Sequence, residues 1–283
     1  MDYSADKLRQ KFYASTATAL CGMNGRYIEM DYQETLMYGD VMAMAKKKLN
    51  DFTLDIAIGG SINDKVVNST RIDSKNASLK FANVFNLANI VMSSSASIDQ
   101  KIDAHYQLQS VFATAQAGYK EGIFLDLTAR NDWSSTLAYT KYEKKGFFYP
   151  SVGVSFLPDK WVKMPEWVSF SKLRGAYSIV GNGVPPFITY PVSYVTAGGG
   201  MLASDAAPFA EMKPEMTHSV ELGMEWKFLQ HRLGLNLTYY RTNTYEQFFK
   251  LPALAGDKYA YRYVNAGDIQ NQGWEITLDA TPV

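Results

Sequence analysis

Three histidines, one cysteine and a short acid–base–acid run are the side chains of this 283-residue chain that could do chemistry. His105, His218 and His231 are far apart and show no His-x-x-x-His spacing of the kind that brings two imidazoles onto one metal. Cys21 is the single cysteine, so neither an internal disulfide nor a cysteine-built metal site can form within the chain. No metal and no cofactor are expected. Gly198-Gly199-Gly200 lacks the Gly-Lys-Ser/Thr ending of a phosphate loop and reads as a flexible loop. Asp126, Arg130 and Asp132 are evenly spaced and would share one face of a strand, where a charge ladder on a wet surface is a commoner meaning than catalysis. Asn131-Asp132-Trp133 combines polar side chains with an aromatic ring, as a sugar site would; these three are the candidate substrate-binding residues. A hydrolase would need a nucleophile beside His218 or His231, and none is evident, so an enzyme is not expected.

The elements that must position these residues are strands. In THSVELGMEWKFLQHRLGLNLTYYRTNTY (residues 217–245) the apolar residues Val220, Leu222, Met224, Trp226 and Phe228 alternate with Ser219, Glu221, Gly223, Glu225 and Lys227. After the turn around Gln230 and His231, Leu233, Leu235, Leu237 and Tyr239 alternate with Gly234, Asn236 and Thr238. Period two means a hairpin of long strands. The same pattern predicts nine strands, over about 34–48, 52–62, 103–117, 122–132, 147–157, 168–180, 217–229, 232–245 and 270–283, the last cut by the chain end. Residues 1–33 are left open as a further strand or a loop.

The connections alternate. Residues 49–51, 118–121, 158–167 and 230–231 are short links, whereas 63–102, 133–146, 181–216 and 246–269 are long and rich in Gly, Ser, Asn, Pro and Tyr. Such an up-and-down meander, with short turns at one end and long loops at the other, is how outer-membrane β-barrels are built. The expected fold is therefore all-β, an antiparallel up-and-down transmembrane β-barrel segment. Its wet face would carry Glu221, Glu225, Asn236, Thr238, Glu275, Thr277 and Asp279, and its lipid face Val220, Leu222, Leu235, Leu237, Trp274, Ile276 and Leu278. The aromatic clusters Phe147-Phe148-Tyr149, Tyr239-Tyr240, Phe248-Phe249 and Trp161 with Trp167 are expected near strand ends, at headgroup level. Gly181-Asn182-Gly183 and Asn271-Gln272-Gly273 read as turns, with positive φ accepted at the first.

Composition closes several other routes. The 28 basic and 28 acidic residues cancel and form no long Lys/Arg block, so nucleic acid is excluded as a partner; Lys46, Lys47 and Lys48 read as a solvated strand end. Residues 1–10 do not read as a secretory signal, residues 18–21 are not preceded by the apolar segment that lipid attachment would need, and no run of 18 apolar residues could form a membrane helix.

Five blocks carry a family resemblance: LDLTARNDWSST (125–136), FFYPSVGVSFLPDKW (147–161), WVSFSKLRGAYSIVGNG (167–183), KPEMTHSVELGMEWKFLQHRLGLNLTYYRTNT (213–244) and NAGDIQNQGWEITLDATP (265–282). Together they resemble the SusC/RagA-type TonB-dependent outer-membrane transporters of Bacteroidetes. The resemblance implies part of a nutrient importer for oligosaccharides or peptides in the cell outer membrane, powered through TonB and working with a SusD-like surface lipoprotein over loops such as 63–102 or 181–216. It also implies a complete barrel with more strands, a plug and a TonB-binding segment, none recognisable here, so an incomplete barrel piece is expected. A glycan-binding β-sandwich at the cell surface is the alternative, and an outer-membrane enzyme the weakest reading.

Overall fold

The alternating segments form strands. The computed structural model describes the whole chain except residues 1, 16–20, 76–78, 93–96, 196–199 and 282–283, so Gly198 and Gly199 lie outside the described residues. In chain order the strands are β1 (Asp2–Phe12), β2 (Arg26–Leu49), β3 (Phe52–Asp73), β4 (Ser97–Tyr119), β5 (Ile123–Ser134), β6 (Phe147–Phe156), β7 (Val168–Asn182), β8 (Tyr194–Val195), β9 (Met201–Leu202), β10 (Glu215–Phe228), β11 (Leu233–Tyr245), β12 (Phe248–Pro252), β13 (Tyr261–Asn265) and β14 (Asp268–Ala280). Ten of them make one sheet in the order β1-β2-β3-β4-β5-β6-β7-β10-β11-β14, while β8-β9 and β12-β13 are small hairpins inside long loops. Each neighbour in the large sheet is antiparallel to the next.

The nine expected strands all form, and a tenth precedes them: β1 pairs Asp2 with Leu36 and Phe12 with Arg26. Its sequence, DYSADKLRQKF, has no apolar row, which is why alternation does not reveal it. There is one ten-stranded sheet and no second large sheet facing it among the described residues, so the sandwich alternative is not the fold. Among the described residues no pairing joins β1 to β14, and the sheet they form has two open edges.

Short turns place their residues in the left-handed region. Asn50 (φ 51°), Lys120 and Glu121 (49° and 52°) and Leu229, Gln230 and His231 (51°, 55° and 68°) reverse the chain at one end of the sheet. The two glycine-containing segments expected to turn do something else. None of Gly181, Asn182 and Gly183 has positive φ, and Asn271, Gln272 and Gly273 lie inside β14.

Cross-strand register sorts the side chains into two faces. Val220, Leu222, Met224 and Trp226 stand opposite Arg241, Tyr239, Leu237 and Leu235, and the last three continue to Trp274, Ile276 and Leu278 on β14. The other face joins Glu221 to Tyr240, Gly223 to Thr238 and Glu275, and Glu225 to Asn236 and Thr277. The lipid-facing and wet-facing sets expected from sequence thus occupy opposite faces as assigned. The apolar face has no protein cover: Ile58 is 61% exposed, Trp274 65%, Ile276 66% and Leu278 71%, far more than a soluble core would leave.

This apolar face is a band of limited height. It begins at the short turns and stops at polar residues such as Arg241 and its register partner Gln272, or Asn131 opposite Val111, after about nine to eleven residues, the length a tilted strand needs to cross a bilayer. Aromatic rings rim the short-turn border. Phe52 contacts Tyr119 (4.6 Å between ring centroids), Tyr119 contacts Trp161 (5.6 Å), and Trp167 stacks on Phe228 (5.5 Å). Lys120 lies over both Tyr119 and Trp161. At the other border Tyr239 packs on Trp274 at 4.9 Å. Tyr239-Tyr240 therefore sits mid-strand, because β11 continues beyond the band, and Phe248-Phe249 belongs to a loop hairpin.

Strands β2, β3 and β4 run 24, 22 and 23 residues, so more than half of each projects past the band at the long-loop end. Two small apolar clusters steady this region. Tyr27, Leu79 and Ile90 are buried with Ile72 and Phe85 against them, and Leu137, Val184 and Met212 are buried among Phe147, Ile188, Phe209, Phe248 and Tyr263. Polar anchors accompany them. Asp73, fully buried, accepts from Arg26 Nη2 (2.7 Å) and Arg71 Nη2 (2.7 Å). Asn89 holds its own loop by accepting from Phe81 N and donating to the Phe81 and Val84 carbonyls.

β1 is fastened by Glu29, whose carboxylate takes Lys7 Nζ at 2.8 Å, the Tyr27 hydroxyl at 2.5 Å and Arg9 Nε at 3.4 Å. Lys7 first, and then Tyr27, lower the Glu29 carboxyl from 4.5 to about 2. A depressed carboxyl stabilises the folded strand above pH 4.5 and loses that contribution as pH falls towards 2. Amide-exchange protection of residues 2–12, corrected for intrinsic exchange, is expected to drop across that window and to be low throughout in Glu29→Gln. Identical profiles in both proteins would show that the cluster does not fasten the strand. The open edges carry a second expectation: expressed alone, the chain aggregates, because unpaired strand edges cannot be satisfied in lipid and template further pairing in water. A monodisperse, cooperatively unfolding monomer in detergent-free buffer would contradict this.

Candidate functional site

The polar face is built from small residues that admit large ones. Gly59 faces Phe112 across β3 and β4, Gly118 faces Phe124, and Gly273 faces Tyr240; a Cβ on any of these glycines would press within about 3 Å of the opposing ring. Gly181 likewise lies under the Tyr149 ring, its actual reason for being glycine. Glycine here accommodates aromatic rings laid across the strands. The same device serves a charge. Arg174 crosses over Gly223, donates from Nη2 to Thr238 Oγ1 at 2.8 Å and pairs with Glu221 at 3.3 Å. The sequence pattern records these glycines only as not apolar, so their partners were not legible.

Asp126, Arg130 and Asp132 do share the polar face, as even spacing requires. Arg130 Nε donates to Asp132 Oδ1 at 2.7 Å, and its Nη2 donates to Ser110 Oγ at 2.7 Å on the neighbouring strand. Gln116 donates to Asp126 at 2.6 Å. These are the rungs of a charge ladder.

Asp132 also opens into a cavity of about 380 Å³ at the long-loop end, bounded by Asn63, Tyr106, Thr136, Tyr149 and Gly181, with Pro185 and Pro214 from the loop that follows β7. The Oδ1 atom of Asn63 is buried there with no hydrogen-bond partner among the described residues. Asn131 and Trp133 point the other way. Odd-numbered positions of β5 lie on the apolar face, where Asn131 pairs with Val111 and Phe148. The three candidate binding residues are therefore divided by the pleat, with Asp132 alone lining the cavity. Of the histidines, His218 meets the Tyr177 hydroxyl at 2.9 Å, His105 is 3.8 Å from Asp64, and His231 is in a tight turn; they do not converge.

The cavity's roof is ordered by loop-to-loop contacts. Thr189 Oγ1 donates to the Ala138 carbonyl at 3.0 Å, joining the loop after β7 to the loop after β5. Asn265 accepts from Lys213 N (2.9 Å) and donates to the carbonyls of Lys213 (3.0 Å) and Glu246 (2.7 Å), while Lys213 Nζ pairs with Glu246 at 2.6 Å. One asparagine thus ties three segments. Replacing it by alanine strands those backbone groups, at about 1–3 kcal/mol for buried unsatisfied polar atoms. In the full-length protein, Asn265→Ala is expected to speed limited proteolysis within residues 183–214 and 246–267 while leaving the strands' far-UV signal intact; wild-type cleavage rates would show that the roof is held by its apolar cluster instead.

Comparison with known proteins places this architecture. The family described as TonB dependent receptor-like, beta-barrel matches residues 2–281. Two curated relatives from Formosa agariphila, TonB-dependent receptor P3 and TonB-dependent receptor P26, are 26% and 27% identical over 184 and 188 residues, covering 62% and 63% of this chain but only 18% and 19% of their own lengths. Among solved structures the RagAB peptide transporter superposes with a TM-score of 0.80 at 18% identity, over 99% of this chain and 31% of that one. The ferric-catecholate import receptor Fiu from E. coli gives 0.55 at 12% identity, over 98% and 40%. The bare apolar band is thus the lipid-facing surface of an outer-membrane barrel, the polar face is its inner wall, and this chain, a portion of the length of its relatives, belongs to the TonB-dependent receptor-like β-barrel family, whose members are transporters and not enzymes.

Proposed function

We propose that this chain is barrel wall and loop roof of a nutrient importer of the SusC/RagA kind. The long loops face outside the cell and the short turns face the periplasm. The cargo is an oligosaccharide or a peptide, with peptides favoured by the likeness to the RagAB peptide transporter. A SusD-like lipoprotein over the loops and energy supplied through TonB, engaged by parts of the receptor outside this chain, complete the machine. The observation that carries this reading is the roofed cavity on the inner wall at the long-loop end, lined by Asp132, Asn63 and two tyrosines. Aromatic faces and hydrogen-bonding groups of that kind hold amides and sugar hydroxyls equally well.

The ligand-contact assignment narrows to Asp132 within this proposal, while Asn131 and Trp133 serve the border of the lipid face. In cells dependent on the full-length receptor, labelled oligopeptide or oligosaccharide uptake is expected to vanish without TonB and to fall several-fold with Asp132→Arg. Asn131→Ala and Trp133→Ala should leave uptake near wild type if receptor abundance is matched. Uptake that survives loss of TonB would overturn the importer reading.

A further inference from the structure

On the lipid-facing side of the wall, a polar cluster stands where the apolar band ends towards the long loops. Val220 of β10 pairs with Tyr177 on one side and Arg241 on the other, and Arg241 pairs with Gln272 beyond. One same-face position further out, His218 meets the Tyr177 hydroxyl through Nδ1 at 2.9 Å and the Tyr245 ring edge-on at 5.2 Å. Asn243, the register partner of His218, accepts from Arg241 Nε at 3.2 Å. Tyr177, His218, Tyr245, Asn243 and Arg241 thus form one continuous patch at headgroup level.

The charge of this patch is uncommitted. Arg241 is exposed and has no ion pair among the described residues, and the Nε2 atom of His218 has no hydrogen bond among them. The nearest strand carboxylate on this face, Asp268, lies opposite Tyr245, further from the band, and is approached by Asn243 Nδ2 at 3.5 Å. Elsewhere this border is made of neutral polar residues such as Gln109, Asn131 and Gln272. Arg241 is therefore a local feature of the wall. A guanidinium with free N–H groups beside an imidazole, two tyrosines and an amide is a set of donors that matches a phosphate.

A groove leads away from the cluster into the band. It encloses about 390 Å³, is floored by Ala113 and Ala115, and is flanked by Ile58, Leu127, Val152 and, at its near end, Tyr177. Ala115, Leu127, Val152, Tyr177, Val220 and Arg241 are successive register partners, so the groove and the cation lie on one row across the strands. Five strand spacings separate Ala115 from Arg241, about 24 Å, a span comparable with an extended acyl chain.

We infer that this row is a binding site for a phosphorylated lipid of the leaflet on the long-loop side, with the phosphate at Arg241 and His218 and an acyl chain in the alanine-floored groove. The site needs only the lipid-facing wall, and does not depend on the cargo or on TonB. Its phosphate chemistry would also suit free inorganic phosphate. The groove that begins at Tyr177 favours the lipid, which is the ligand to which the inference commits.

Native mass spectrometry of the purified, delipidated full-length receptor tests it, with dioleoyl phosphatidic acid and dioleoylglycerol as probes. The phosphorylated lipid is expected to bind about tenfold more tightly, the worth of a charge-assisted hydrogen bond. Arg241→Gln should abolish that preference and Arg241→Lys should keep most of it, whereas Ala115→Phe should weaken both lipids alike by filling the groove. An undiminished preference in Arg241→Gln would overturn the phosphate assignment, and unaltered binding in Ala115→Phe would overturn the groove. Displacement of the lipid by millimolar inorganic phosphate would identify a free-anion site instead. Unfolding temperatures of the variants equal to that of the wild type separate lost binding from lost fold, and cargo uptake, measured separately, bears on the importer reading alone.

Discussion

Backbone hydrogen bonding without water is the constraint from which the rest follows. In a bilayer each N–H and C=O must find a partner inside the protein, and strands can do this only by pairing side by side. From β2 to β11 each strand of the large sheet is paired on both sides, in unbroken antiparallel ladders except at two bulges. With the backbone settled this way, alternate side chains have to face opposite solvents. That accounts for the apolar band, its aromatic rims and the absence of a conventional large core: buried apolar residues are few and lie mostly in the loop clusters and beyond the band.

The inner wall obeys a different requirement. A polar surface on a curved sheet still has to fill space, and it does so by laying aromatic rings and an arginine across glycines on the next strand. These contacts fix register, because slipping by one residue would drive a ring into a Cβ and send Glu221 or Glu225 into lipid. The wall presents Asp132 and Asn63 to a cavity, while the loops above, tied by Asn265 and Thr189, define its roof.

Bulges supply what regular pleating cannot. Along β3 and β4 a strict alternation would place Asp99 and Lys101 on the outer face; the extra residue Asp103 puts them inside, beneath the β8-β9 hairpin. The extension of β2, β3 and β4 beyond the membrane gives this room, and the Glu29 and Asp73 clusters hold the extension together where no lipid presses on it.

Sequence alone determined the strands and their faces, because period two is a property of the chain and survives whatever the neighbours do. Val220 to Phe228 and Leu233 to Tyr239 declared a lipid face, and the alternation of short and long links declared the meander. It determined the shared face of Asp126, Arg130 and Asp132 for the same reason. It did not reveal β1, whose side chains are polar on both faces and are held by Glu29 and by pairing with β2. Tertiary structure decided that Gly181 and Gly273 accommodate rings instead of turning the chain, and that Asn131 and Trp133 part from Asp132. It also decided that a bulge at Asp103 turns two charges inward. These depend on which residue of another strand stands opposite, and a local pattern carries no record of its partner.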